Sequence, residues 1–255
     1  MTRLTLIMTG TINPENMIYT QRSNAEVRLA DYITAFTKWL HYMEHNDLHR
    51  LIFCENSGYD ISPLKAIVKP SIQESVSFIQ TSDNGESVHR GKGHGEARML
   101  ERVVSEYPGL LQGADYIVKV TGRLFVPNLL RLIRPSTEID MISAGIHRDT
   151  RGLYVDSRIF ALKPEAFGRV FQQFSDDVDD TIGVYFERVL ATRVVNLGHS
   201  GYSWTAFNEL PYFRGVSGSS GRKFDTLYEI LKISLKNIIY RYGYREKIVR
   251  MFYRI

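Results

Sequence analysis

The sequence predicts an α/β protein: a single domain with a mainly parallel central sheet flanked by helices, followed by a C-terminal basic amphipathic helix. Two observations carry this reading. Strand-length apolar runs alternate with segments of helical spacing through the first half of the chain, the order expected of parallel strands joined by helical crossovers. The end of the chain is cationic, with seven lysines and arginines after Leu231 (Lys232, Lys236, Arg241, Arg245, Lys247, Arg250, Arg254) against one acid, Glu246.

"RLTLIMT", residues 3–9, reads as a first buried strand closed by Gly10-Thr11. Its apolar run is too short for a signal peptide. Residues 24–45 place Val27, Ala30, Ile33, Phe36, Trp39 and Leu40 at helical spacing, with Asn24 as N-cap. "RLIFCEN", 50–56, is a second strand and "VSFIQT", 76–81, a third. The glycine-rich "GKGHGE", 91–96, is expected to be a loop leading into a helix over roughly 96–106. "DYIVKVTG", 115–122, alternates β-branched residues as a fourth strand. "GLYVDSRIFALKP" suits two short strands or a hairpin, before helices near 164–174 and 180–193. "ELPYFRGVSGSSGRKFD" reads as a loop that can move, and a long amphipathic helix starts near Asp225. The expected division is a catalytic domain over 1–221 and a helical appendage over 222–255.

At 255 residues, 44% hydrophobic and 24% charged, the composition is that of a globular protein with a substantial core. A single cysteine, Cys54, excludes an intrachain disulfide and a cysteine-rich zinc site, in keeping with a reducing cytoplasm. No apolar stretch approaches the roughly 20 residues of a spanning helix. His41, His45 and His49 recur every four residues, a spacing that suits a metal or a solvated helix face. Ser200 in "GHSGYS" does not match a nucleophile elbow.

Four stretches carry chemistry. In "GKGHGE" the backbone amides, a helix N-terminus and Lys92 favour an anion, although neither the Walker A nor the dinucleotide spacing is present; a surface turn has the same composition. "KVTGRL" sets Arg123 at the carboxyl end of a strand, where open α/β sheets bind ligands and a guanidinium grips phosphate. Glu55, Asn56 and Asp60 in "FCENSGYD" suit a base or ribose, or the cap of the next helix. The aspartates 176, 177, 179 and 180 precede a helix carrying Glu187, as catalytic acids or as partners of the helix dipole.

Taken together, "GTINP", "ENSGYD", "GKGHGE", "DYIVKVTGRL", "DSRIFALKPEAF", "VYFERVL" and "GVSGSSG" give a sequence that resembles the GT-A-type glycosyltransferases of bacterial surface-polysaccharide synthesis, the makers of lipopolysaccharide, O-antigen and capsule. The resemblance implies a nucleotide-sugar donor with Thr9, Gly10 and Asn13 beside the base, and Glu55, Asn56 and Asp60 at the base or ribose. It sets Lys92, Gly93 and Glu96 under the nucleotide sugar. Most such enzymes end the fourth strand in a D-x-D motif that holds a divalent metal; here stand Thr121, Gly122 and Arg123. No cofactor or metal is therefore expected, and Arg123 with Lys92 or Lys119 would neutralise the leaving phosphate. The implied base lies at Asp179 or Asp180, with Glu187 as competitor, and Asp156 with Arg158 shapes the acceptor pocket. A lipid-linked glycan acceptor would put the protein at the inner face of the cytoplasmic membrane, with the basic tail against anionic headgroups.

Two other classes share features with this reading. A sugar nucleotidyltransferase has a similar sheet and lysine, but its glycine-rich loop normally follows the first strand and it needs metal-binding aspartates. A nucleic-acid-binding module could use the tail, but its tyrosines are spread around a helix rather than set on a strand platform, so no nucleic-acid partner is expected.

Overall fold

A computed structural model describes residues 2–14, 21–46, 48–133, 138–218 and 220–239. The first half runs β1 (Leu4–Gly10), α1 (Ala25–His45), β2 (Leu48–Glu55), α2 (Ser62–Ala66), β3 (Val76–Gln80), α3 (Asn84–Val88), α4 (Lys92–Glu106) and β4 (Tyr116–Thr121). After it come β5 (Leu124–Phe125), α5 (Leu129–Leu132), β6 (Met141–Ser143), β7 (His147–Asp149), β8 (Gly152–Tyr154) and β9 (Ile159–Leu162). The chain continues through α6 (Pro164–Phe171), α7 (Phe186–His199), β10 (Trp204–Ala206), β11 (Arg214–Gly215) and α8 (Leu227–Ile239).

Seven strands form one sheet in the order β10-β6-β9-β4-β1-β2-β3. β4 lies at its centre with β1 beside it, β1 runs parallel to β2 and β4, and β9 runs antiparallel between β4 and β6. The period-two alternation of β1 divides the core. Leu4, Leu6 and Met8 face α1, whose Tyr32, Phe36, Trp39 and Leu40 are buried against them. Ile7 faces the opposite layer, where α4, α6 and α7 contribute Leu100, Phe167, Phe171 and Leu190. Each large apolar side chain so buried stabilises the fold by about 1.5–3 kcal/mol. β4 follows the same rule with one exception: Val118 and Val120 face α1, but the opposite side presents Lys119 between Ile117 and Thr121.

The predicted parallel-sheet architecture is the observed one, with three local differences. First, "GKGHGE" is not a loop: α4 begins at Lys92, and only Gly91, at φ +94°, stands outside it. Second, α7 begins at Phe186 and not near 180, because residues 180–182 form a 3-10 turn that ends at Gly183 in the left-handed region (φ +81°). Third, "GLYVDSRIFALKP" makes two strands of different sheets, β8 pairing with β7 and β9 entering the main sheet. Asn24 caps α1 as expected, accepting from the Val27 N–H at 2.9 Å. α8 is tied to the body of the domain through Asn237, which is buried and accepts from the Leu210 N–H at 2.6 Å. The expected tail beyond it, residues 240–255, lies outside the described residues. Among the described residues no helix is long and apolar enough to cross a membrane.

Candidate active site

The carboxyl ends of β1 and β4, the first turns of α1, α4 and α7, and the segment after β11 enclose a cleft of about 320 Å³. Thr9, Gly10, Lys92, Glu96, Thr121, Arg123, Asp156, Arg158 and Glu187 line it, so nine of the residues singled out in the sequence meet in one place. Lys92 and Arg123 share this cleft.

Its base is a buried ion pair. Lys119 has no exposed surface; its Nζ lies 2.5 Å from Glu96 and donates to the Ser157 carbonyl at 2.6 Å. The rings of Phe160 and Phe186 sit within 6 Å of the ammonium. Thr9 Oγ1 donates to Glu96 at 2.7 Å, so the pair joins α4 to both central strands. Burial alone would raise the Glu96 carboxyl, but the Lys119 charge and hydrogen bond outweigh it and hold Glu96 below its ordinary range.

Above this pair lies a cationic wall. Arg123 is 6% exposed, and its Nε and Nη1 have no hydrogen-bond partner. Its guanidinium lies 5.6 Å from the centre of the Tyr32 ring. Arg28, also buried, approaches the same ring at 6.0 Å and donates to the Thr11 carbonyl through Nε at 2.8 Å. Burial lowers the Arg28 pKa, and the neighbouring Arg123 charge lowers it further. Two desolvated guanidiniums beside one ring, one with unsatisfied donors, form a site for an anion. The segment after β11 covers it: a Cβ added at Gly218 would fall on the Arg123 guanidinium. A short hairpin holds that segment, with the Ser217 N–H donating to the Arg222 carbonyl and the Phe224 N–H to that of Gly215.

The far wall carries two more carboxylates. Arg158 Nη2 pairs with Asp156 at 2.5 Å; burial would raise this carboxyl, but the guanidinium bonds and charge keep it below the ordinary range. Glu187, in the first turn of α7, accepts from Ser157 Oγ at 2.7 Å.

The remaining predicted residues lie around the cleft rather than on it. Glu55 is buried and accepts from the Ile12 N–H and the Ser57 N–H at 3.0 Å, which shapes the loop after β1. Burial pushes its carboxyl up, and its Oε2 has no partner. Asn56 accepts from Thr11 Oγ1 at 2.7 Å, and Asn13 donates through its N–H to Ser57 Oγ at 3.0 Å. Asp60 is exposed and accepts from the Ser62 N–H at the start of α2. The Gly122 N–H donates to the Thr9 carbonyl at 2.9 Å. Asp179 holds its own turn through the Thr181 N–H and lies 3.9 Å from Arg90.

Asp180 is the sharpest difference. It is 3% exposed, and its carboxylate accepts from the Gly93 N–H at 2.9 Å. A Cβ at Gly91 or at Gly93 would come within 2.5 Å of Asp180. The glycines that suggested a phosphate cradle make room for this internal carboxylate, which already fills the anion position at the start of α4. Burial is the main cause that raises the Asp180 pKa.

Arg28 and Tyr32 were not singled out from the sequence. The available signal was an arginine on the apolar stripe of α1, four residues before Tyr32 and eleven before Trp39. Ser157 and Phe224, which also line the cleft, had no comparable signal.

The donors suit a divalent cation poorly. The carboxylates that line the cleft, Glu96, Asp156 and Glu187, are bonded to Lys119, Arg158 and Ser157. Among the described residues the one trio of ligand-type side chains lying together is His41, Glu44 and His45, exposed at the end of α1 away from the cleft.

No family model matches the sequence, and no curated protein matches it either. Solved structures do. An active-site mutant of the galactosyltransferase LgtC is similar at a TM-score of 0.50 and 8% identity, over 80% of this chain and 74% of that one. The fold is GT-A-like. The bifunctional glycosyltransferase WbbM is similar over 80% of this chain at 9% identity and a TM-score of 0.44, and this chain spans 39% of its length. A 4-diphosphocytidyl-2C-methyl-D-erythritol synthase is similar at 11% identity and a TM-score of 0.44, over 92% of this chain and 97% of that one.

Proposed function

We propose that the chain is a glycosyltransferase that moves a sugar from a nucleotide-diphosphate donor to a lipid-linked glycan acceptor in bacterial surface-polysaccharide synthesis, with cationic side chains in place of a metal at the diphosphate. The observation that carries this is Arg123: a buried guanidinium at the end of β4, with Nε and Nη1 unpartnered, on a cleft that Arg28 and Lys92 also line. Bound diphosphate would satisfy those donors, and the fixed positive charge would stabilise the charge that builds on the departing phosphate.

Glu187 is the base in this reading. Its carboxylate takes the proton of the acceptor hydroxyl while that oxygen attacks the anomeric carbon. The bond from that carbon to the diphosphate oxygen breaks, its electron pair goes to the phosphate beside Arg123, and configuration inverts. Asp180 is a positioning residue, because its carboxylate is committed to the start of α4. Asp156 orients Arg158 on the acceptor side.

The membrane part of the proposal is supported by the outward row of α8. Leu227, Leu231, Leu235 and Ile238 recur at helical spacing and are each more than half exposed, with Lys232 and Lys236 between them. Flotation with anionic vesicles tests it: the Leu231→Glu/Leu235→Glu variant should stay at the bottom of the gradient, and equal flotation of both proteins would refute membrane contact.

A thermal-shift panel of uridine, guanosine, cytidine and thymidine sugar nucleotides, with and without Mn²⁺, tests the donor. One nucleotide should stabilise the protein equally in both conditions. A response that requires the metal would overturn the cationic reading, and no response at all would overturn the donor reading.

A further inference from the structure

A second cavity, of about 370 Å³, adjoins the first and shares Asp156, Arg158 and Phe224 with it. Arg158 stands where the two meet. Its guanidinium is paired with Asp156, lies 4.2 Å from the centre of the Phe213 ring and 5.7 Å from that of Phe224. A cation near two rings and paired with a carboxylate is held at this junction although its side chain is 42% exposed.

The walls of this second space are of two kinds. Phe207, Leu210, Phe213, Ile230 and Ile233 make one apolar. The other is cationic: five arginines and lysines line the cavity against three carboxylates, so an anionic guest is favoured over a neutral one. The three carboxylates are already engaged, Asp156 with Arg158, Glu209 with Arg131 and Glu229 with Arg222. The charges of Lys232 and Lys236 also act on Glu229, and the Lys232 ammonium lies 5.5 Å from the centre of the exposed Tyr228 ring, so five cations answer three carboxylates and the cavity keeps an excess of positive charge. Helical spacing explains how α8 serves both sides: Asn237 is buried and Ile233 half-buried, Ile230 lies at the cavity's rim at 39% exposed, and Leu227, Leu231 and Leu235 form the exposed row.

We propose that the second cavity binds the acceptor by an apolar chain carried on a phosphate. The chain lies on Phe213, Phe224, Ile230 and Ile233, the phosphate meets Lys232 and Lys236, and the sugar beyond it passes Arg158 to reach Glu187. This inference rests on the glycosyltransferase reading for the identity of the guest, but the site itself is independent of the donor.

The test uses the full chain and monodecyl phosphate, kept below its micelle-forming concentration and measured by calorimetry beside inorganic phosphate and decyl glucoside. Decyl phosphate should bind at least about tenfold more tightly than either. The Lys232→Glu/Lys236→Glu variant should lose about tenfold with a wild-type melting temperature and unchanged affinity for the nucleotide that occupies the first cleft, and the conservative Phe213→Leu should lose several-fold. Equal binding of decyl phosphate and decyl glucoside, of decyl phosphate and inorganic phosphate, or of decyl phosphate by wild type and double variant would each overturn the proposal. So would binding to anionic vesicles without binding to the monomer, which would reduce the lysines to a surface contact. Decyl phosphate binding by a protein that binds no sugar nucleotide would instead remove the donor reading and leave this site standing.

Discussion

The carboxyl ends of β2 and β4 look alike in the sequence: each closes a buried strand with a polar cluster, Glu55-Asn56 in one and Thr121-Gly122-Arg123 in the other. In the fold they do opposite things. Glu55 and Asn56 turn inward and hold the loop after β1 through Ile12, Ser57 and Thr11. Arg123 is buried as deeply, yet two of its nitrogens meet no acceptor and its neighbours are a ring, another arginine and a glycine. Burial therefore does not separate scaffold from site at this edge of the sheet. What separates them is whether the donors that face the cleft are satisfied from within the chain.

The largest expected effect sharpens that contrast at Glu187, which lines the cleft, and Asp180, which lies behind it. Glu187→Gln should lower turnover by about 10²–10⁴-fold with donor affinity unchanged, the range of a removed general base. Asp180→Asn, which keeps an acceptor for the Gly93 N–H, should stay within about tenfold of wild type. Steady-state kinetics of both variants check this, and the reverse order would return the base to Asp180. Next comes Arg123→Met, which should weaken sugar-nucleotide binding by about 10–100-fold, the loss of one or two charge-assisted hydrogen bonds. The ligand-free melting temperature should not fall, because the methionine removes a desolvated cation that has no internal partner. A variant that melts early would show that Arg123 belongs with Glu55 as scaffold.

Smaller effects belong to the side turned inward. Gly93→Ala puts a methyl group against the Asp180 carboxylate and should cost about 1–3 kcal/mol of stability. For a chain of this size that is about 2–4 °C of melting temperature per kcal/mol, with donor affinity preserved in whatever fraction folds. Glu55→Gln should show the smallest change, visible only as a pH trend. A carboxyl whose folded pKa is raised adds its stability at low pH and loses it as pH rises through the folded value. The melting temperature of Glu55→Gln relative to wild type should therefore climb from acidic to neutral pH, and a flat difference would mean that Glu55 is charged in the fold.

Much of this was legible in the sequence because period-two and helical spacings report what is buried. The central strands and the Asn24 cap follow from those spacings, and the convergence of Thr9, Lys92, Arg123, Asp156 and Glu187 from strand ends and helix starts meeting at one edge. The glycines at 91–96 misled, because a glycine that admits a ligand and one that admits an internal carboxylate leave the same letters. Only the placement of Asp180, 87 residues on from Gly93, distinguishes them. Lys119 was ambiguous for a related reason: alternation assigns it to a buried face but cannot name Glu96 as the partner that consumes its charge. Arg28 was missed because a single cation on an apolar helical stripe is easily counted as solvent-facing.

The "GVSGSSG" segment, so easily taken for filler, holds a hidden gauge. With Gly218 resting on the guanidinium of Arg123 and Gly215 against its backbone carbonyl, a single methyl group at either place would dislodge the side chain proposed to meet the diphosphate. Tolerance to substitution in this stretch should accordingly be uneven residue by residue. Gly215 and Gly218 act as spacers that set how closely this segment can settle over Arg123.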